Sequence, residues 1–272
     1  MSAARPDPRE AMSTHQRTGT GTTRVPYPIG VRTVPVLARH HVTPRMVRLT
    51  IGGPELAGFH TYQADDHVKI VFPDPDGTRR VPVPNDRQML DWPDPMPTTR
   101  RYTVRRYDAA AGELDIDFVL HEGGIASTWA AGARVGDEVT IAGPPGSKVF
   151  ALNYDHYVFA VDATALPAAA RWLEESPADV RAHLVIETEH ADEQTYPLAE
   201  RAGVEVTWLP RADGRSRLAA TVEALPLPDG RNFLFAAGEA GDIRPLRAWS
   251  RGRLDALFTG YWKRGVAGFA DG

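Results

Sequence analysis

Two stretches of the chain bring together residue types that could do chemistry. Arg100-Arg101-Tyr102-Thr103-Val104-Arg105 places cations, an aromatic ring and a small hydroxyl on one short segment, and His121-Glu122-Gly123-Gly124-Ile125-Ala126-Ser127 follows about twenty residues later. On a strand, alternation sends Arg100 and Tyr102 to one face and Thr103 to the other. A guanidinium pairs with a pyrophosphate, an aromatic ring stacks on a flat heterocycle, and a hydroxyl donates near its ring nitrogens. The second stretch is a glycine turn running into a helix start, where free N–H groups suit phosphate oxygens and glycine permits close approach. Together they suit a flat, polar, phosphate-bearing ligand, a flavin dinucleotide. Taken singly, each has a plainer reading: an exposed strand with a basic edge, and a helix capped by Ser127 or a neighbour.

Other candidates carry less. Asp65-Asp66-His67-Val68-Lys69 opens a strand on which His67 and Lys69 share a face. Two carboxylates and a histidine could hold a metal, but a solvated strand start explains them better, and no metal is assigned. Val161-Asp162-Ala163-Thr164-Ala165-Leu166-Pro167 reads as the loop from a first parallel strand to its helix, where open α/β sheets bind ligands, yet it lacks the glycines of a dinucleotide fingerprint. Ala237-Gly238-Glu239-Ala240-Gly241 reads as a second such loop. Tyr261-Trp262-Lys263-Arg264-Gly265 reads as a tail after the last helix, with Trp262 expected to pack because burying an indole is strongly favourable. Neither a Ser–His–Asp spacing nor H-E-x-x-H occurs, so no hydrolase signature and no catalytic side chain is assigned.

These residues need elements to hold them. Short strand-like segments at 34–37, 46–51, 68–72, 102–107, 114–120 and 139–141 are separated by Pro- and Gly-rich connections, with one short helix at 126–131. The clearest is Leu114, Ile116, Phe118 and Leu120 alternating with Asp115, Asp117 and Val119, the period of a half-buried strand. Many short strands with one helix predict an antiparallel barrel. After Gly146 the pattern changes. Apolar strands at 157–161, 182–186, 204–209 and 232–237 alternate with helices at 166–173, 218–224 and 243–258, which predicts a parallel sheet covered on both faces. The expected organisation is a disordered tail at 1–25, a barrel at 26–148 and an α/β domain at 152–265, with the boundary near 147–154.

Composition narrows the chemistry. Of the 272 residues, 42% are hydrophobic and 24% charged, ordinary for a globular chain. The net charge of -4 argues against a general nucleic-acid binder. With no cysteine, disulfides, thiolate metal sites and iron–sulfur clusters are excluded, so redox chemistry needs an organic cofactor or the substrate's own metal. No apolar run approaches the ~18 residues of a membrane span and no secretory signal is visible, so the expected location is the cytoplasm.

A barrel followed by an α/β domain, with Arg-x-Tyr-Thr between, resembles the ferredoxin–NADP reductase superfamily and, more narrowly, the siderophore-interacting proteins, which are flavin-dependent ferric-siderophore reductases. The matching pieces run in order from Asp66-His67-Val68-Lys69 and Arg100–Arg105 through Asp117-Phe118-Val119-Leu120-His121, Ile125-Ala126-Ser127-x-Trp129-Ala130, Gly136-Asp137 and Gly143-Pro144-x-Gly146-Ser147. They continue with Thr164-Ala165-Leu166-Pro167, Ala237-Gly238-Glu239 and Tyr261-Trp262-x-Arg264-Gly265. The resemblance implies FAD held mainly by the barrel: Arg100 on the phosphates, Tyr102 on the isoalloxazine, Thr103 near its reactive edge, Val119 and His121 along the dinucleotide, and Ala126 and Ser127 offering helix-start N–H groups. It places His67, Thr164 and Glu239 among the cofactor-binding residues. It also implies NADH, NADPH or a ferredoxin as donor and an anionic ferric chelate as substrate, drawn in by cations for which Lys69, Lys263 and Arg264 are the candidates. One departure stands out: the family's Gly-Asp-Glu-Thr-Ala-Leu-Pro reads Val161-Asp162-Ala163-Thr164-Ala165-Leu166-Pro167 here. The branched Val161 and the lost carboxylate at Ala163 are expected to weaken nicotinamide use, leaving as the alternative a flavin-binding member whose FAD has a structural or non-redox role in small-molecule biosynthesis.

Overall fold

The structure, a computed structural model, describes residues 8–211 and 213–269. They form two compact units. One is Arg24–Lys148 together with the start of an N-terminal helix, and the other is Ser13–Thr23 with the chain from Val149 onward.

The first unit is a seven-stranded sheet in the order Thr99–Thr103, His67–Val71, Glu138–Ala142, Val31–Thr43, Met46–Gly52, Glu113–Val119, Arg106–Asp108. Every pair in it is antiparallel. The sheet curls on itself, as a barrel requires: the Tyr102 ring on the first strand lies 4.2 Å from that of Phe118 on the sixth, and the Arg105 N–H donates to the Asp115 carbonyl at 2.9 Å. Leu114, Ile116 and Phe118 enter the core as their alternation predicts. Asp115 and Asp117, on the other face, are nevertheless buried, because arginines roof them. Arg48 donates to both oxygens of Asp117 at 2.6 and 2.8 Å, and Arg106 Nε donates to Asp115 at 2.7 Å.

The second unit is a five-stranded sheet in the order Val204–Pro210, Ala182–Thr188, His156–Asp162, Asn232–Glu239, Asp255–Trp262. All neighbours are parallel. Helices Leu218–Glu223 and Ala240–Ser250 share one core with Val158, Ala160, Val185 and Leu234. On the opposite face helix Leu166–Glu175 sets Trp172 against Tyr157 and Phe159, with ring centroids 5.1 and 4.5 Å away. The strands are apolar throughout because both faces are covered.

Two sequence expectations fail here. The N-terminal segment, expected to be disordered through residue 25, is a helix over Arg9–Thr18 followed by a strand at Thr22–Pro26. Composition undervalued one anchor: Met12 is buried, and its Sδ accepts from the Tyr27 hydroxyl at 3.7 Å. Residues 1–7 of that expected tail lie outside the described residues. The helix expected at 243–258 ends at Ser250, and Asp255–Trp262 is instead the fifth parallel strand. Gly252 has φ +72°, a conformation that ends a right-handed helix at little cost only for glycine. No helix among the described residues is long and apolar enough to cross a membrane.

Candidate functional site

Strand Thr99–Thr103 pairs antiparallel with His67–Val71, matching Thr103 with His67, Tyr102 with Val68, Arg101 with Lys69 and Arg100 with Ile70. Directly opposed residues share a face. Arg100 and Tyr102 therefore share the face of the buried Val68 and Ile70, while Thr103, Arg101, His67 and Lys69 share the other. Both Arg100 and Tyr102 are half-buried. Arg100 Nη1 donates to the Thr99 carbonyl at 2.8 Å, and burial pushes the Tyr102 phenol well above its ordinary range.

The second face is cationic. Burial, and then the Arg101 charge, lower the Lys69 ammonium, which sits 4.8 Å from the centre of the Trp92 ring. Burial holds His67 down to about 4, with Arg101, Lys148 and Lys69 adding to the effect. Its imidazole is neutral at neutral pH beside three cations. The ordinary value is 6.5, so the unfolded chain takes up this proton first as pH falls. The contribution of His67 is complete above about pH 6.5 and is lost toward pH 4, by on the order of 3 kcal/mol. An imidazole signal that stays neutral to pH 5 in an NMR titration, with a denaturation midpoint that drops between pH 7 and 5, is expected. Titration of His67 near 6.5 in the folded protein would contradict it.

An aromatic chain joins this strand to the second motif. Phe118 touches Tyr102, Trp129 lies 5.8 Å from Phe118, and Phe72 lies 5.8 Å from Trp129. Trp129 belongs to helix Ile125–Gly132, whose N-cap, Gly124, makes no side-chain cap hydrogen bond. The Ser127 hydroxyl is not that cap. It accepts from the His121 N–H and donates to the His121 carbonyl, both at 2.8 Å, closing the loop on itself. Ala126 and Ser127 are buried, Val119 is half-buried at its strand end, and His121 is exposed with its ring against Gly124. The first turn thus keeps uncapped N–H groups over small, buried side chains. Those donors, a half-buried ring and nearby cations fit the pyrophosphate and ring of a flavin dinucleotide.

In the α/β unit the carboxyl edge of the sheet is filled by the chain's own acids. Asp162 Oδ1 accepts from the Thr164 N–H at 2.9 Å and its hydroxyl at 2.5 Å, while Oδ2 accepts from the Glu239 N–H and from Trp262 Nε1, each at 2.8 Å. Glu187 accepts from the N–H groups of Arg217 and Leu218 at 2.7 and 3.2 Å, at the start of helix Leu218–Glu223. Glu239 is the N-cap of helix Ala240–Ser250 and accepts from the Asp242 N–H at 2.7 Å and the Arg264 N–H at 2.9 Å. Thr164 and Glu239, read from the sequence as cofactor contacts, spend their polar atoms on these internal bonds.

The expected role of Val161 is corrected here. It closes the expected strand, here His156–Asp162, but is fully buried opposite Ile186 and Ala237 and has no exposed surface. Its branched side chain is packed in the core, one residue before the strand ends at Asp162. Gly238 and Glu239, read as a loop, are strand as well. Lys263 and Arg264 are not a tail beyond a helix: they follow the fifth strand, Lys263 bridges Val266, and the Arg264 guanidinium lies 5.6 Å from the Trp262 ring. Sequence reading gave no site role to Arg101, Lys148, Trp92 or Phe118. Strand pairing, which no local spacing reveals, brings the first of these to His67 and Lys69. Among the described residues no group of three metal-ligating side chains forms a site, and Asp66 instead accepts from Tyr27, Thr61 and the Tyr62 and Gln63 amides.

Comparison with known proteins gives the family. Residues 35–148 match the family model of a siderophore-interacting FAD-binding domain, and residues 154–265 match that of the siderophore-interacting protein. The chain is 31% identical to the ferric vibriobactin reductase ViuB of Vibrio cholerae over 86% of its own length and 90% of that protein's. It is 34% identical to an NADPH-dependent ferric-chelate reductase of Escherichia coli, covering 82% and 87% of the two chains. The solved structure of a siderophore utilization protein from T. fusca superposes with a TM-score of 0.84 at 39% identity, over 91% of this chain and 98% of that one.

Proposed function

The chain belongs to the siderophore-interacting protein family, and from that premise we propose that it reduces an anionic ferric siderophore and releases ferrous iron, with NADH or NADPH as electron donor. It is a flavin-dependent oxidoreductase of the ferric-chelate reductase type. Bound FAD supplies the one-electron chemistry that the side chains lack. The observation that carries the reading is the uncapped start of helix Ile125–Gly132, joined through Trp129 and Phe118 to the strand that bears Arg100, Tyr102 and Thr103.

Within that reading Arg100 and the N–H groups of Ala126 and Ser127 hold the phosphates, and the Tyr102 ring, braced by Phe118, carries the flat ring system. Thr103 and the neutral His67 offer hydrogen bonds on the other face of the strand. Val119 and His121 border the dinucleotide. Lys69, Lys263 and Arg264 draw in the anionic chelate. Charge reversal at each should raise the chelate KM, and raise it more at low salt than at high salt, because screening weakens the attraction. Kinetics independent of ionic strength would remove these three cations from the substrate path.

The donor admits a second reading, which the carboxylate-filled sheet edge favours. The starts of helices Leu218–Glu223 and Ala240–Ser250 are already satisfied by Glu187 and Glu239, and Asp162 closes the short turn that leads into helix Leu166–Glu175. On this reading NADH and NADPH reduce the protein slowly, and the flavin is served by a protein donor such as a ferredoxin or has a non-redox role. Anaerobic mixing of the FAD-loaded protein with each nicotinamide separates the two. Rapid bleaching of the flavin at micromolar NADH or NADPH supports the first, and absence of bleaching supports the second.

A further inference from the structure

The C-terminal basic segment is held in part from elsewhere in its sheet. Lys263 and Arg264 are exposed and follow the last strand of the sheet, at its carboxyl edge. Besides the Lys263–Val266 bridge, two buried carboxylates on other strands tie this segment to the sheet. Trp262, half-buried just before them, donates its indole N–H to Asp162 Oδ2 at 2.8 Å. The Arg264 N–H donates to Glu239 Oε1 at 2.9 Å. Asp162 in turn binds the Glu239 N–H through the same oxygen, so one carboxylate ties the ends of three neighbouring strands together.

The local backbone is shaped around that carboxylate. Gly238 has φ +140°, and a Cβ there would meet the Asp162 carboxylate oxygens at 2.5 to 2.8 Å. Only glycine lets the strand pass so close. The register between the last two strands shifts between Gly238 and Glu239, which sets Glu239 opposite Trp262. Asp162 itself is buried and accepts four hydrogen bonds, two from Thr164 and one each from Glu239 and Trp262. A carboxylate so satisfied is a rigid support.

We propose that Asp162 is a positioning residue for ferric-chelate reduction: through Trp262 and Glu239 it sets the place of Lys263 and Arg264, and so the affinity for the anionic chelate. The claim rests on the reading that these two cations meet the substrate. Its test uses the full-length, FAD-loaded protein with the variants Asp162→Asn, Trp262→Phe, Lys263→Ala and Arg264→Ala. Two readouts are taken: hydrogen–deuterium exchange of the amides of residues 262–266, and kcat and KM for a ferric siderophore reduced by the photoreduced protein. Trp262→Phe keeps the aromatic packing and removes only the N–H donor, so the question stays open to test even where Asp162→Asn folds poorly.

Faster exchange at 262–266 in Asp162→Asn and Trp262→Phe, with KM raised about fivefold to tenfold and kcat nearly unchanged, is the expected result. Unchanged exchange in Trp262→Phe would overturn the positioning role whatever the kinetics. Faster exchange with an unchanged KM, while Lys263→Ala or Arg264→Ala raises it, would overturn the link to the chelate. Unchanged KM in both lysine and arginine variants would instead overturn the substrate reading, and the exchange data alone would then decide the structural part.

Discussion

Replacing Arg100 with Ala should weaken FAD binding roughly ten- to a hundredfold. The change removes a charge-assisted contact to phosphate of ~1.5–3 kcal/mol. The side chain is half-buried on the strand paired with His67–Val71, and its guanidinium is held at the backbone by the Thr99 carbonyl. Its loss should therefore act on the ligand with little effect on the fold. A flavin titration of the apoprotein, read by quenching of flavin fluorescence, gives the affinity directly. Equal Kd values for parent and variant would take Arg100 out of the phosphate site.

Replacing Val161 with Gly should cost roughly 2–4 kcal/mol of stability, the combined effect of a core cavity and a glycine inside a strand. Val161 sits near the carboxyl end of the central strand, between Ile186 and Ala237, and has no exposed surface. Placing there the glycine that the family resemblance implies should thus lower the denaturation midpoint and should not, by itself, speed reduction by NADH or NADPH. Ala163, where the resemblance implies a carboxylate, is also buried. Denaturant titration and anaerobic stopped-flow on the same preparation check both halves. A variant as stable as the parent and reduced faster would show that this position lines the donor's path after all.

What the sequence disclosed, and what it hid, divides along the range of the interactions involved. The strand Glu113–Val119 and the parallel strands were legible because burial of one or both faces writes a period or an apolar run into local sequence. The strand that carries Arg100, Tyr102 and Thr103, and the glycine turn that opens helix Ile125–Gly132, could be read from adjacent residues alone. The cationic face was not: Arg101, Lys69 and Lys148 meet His67 only through strand pairing and the curl of the sheet. The role of Asp162 was hidden for the same reason, since Trp262 lies a hundred residues away along the chain. The last strand, Asp255–Trp262, read as helix because Leu254, Leu257 and Phe258 happen to continue a helical spacing past Gly252. The N-terminal helix was missed because its packing depends on Met12 and its contact with Tyr27, too little to alter a composition dominated by small and polar residues.

The most direct test of ferric-chelate reduction leaves the electron donor out. The FAD-loaded protein is photoreduced without oxygen and mixed with a ferric siderophore in the presence of a ferrous-specific chromogenic chelator. Flavin reoxidation and trapped ferrous iron are then followed together. A two-electron reduced flavin that serves single-electron acceptors should return to its oxidised spectrum as two ferrous ions appear per flavin. A flavin that stays reduced beside an intact ferric chelate would contradict the assignment and leave FAD with a non-redox role.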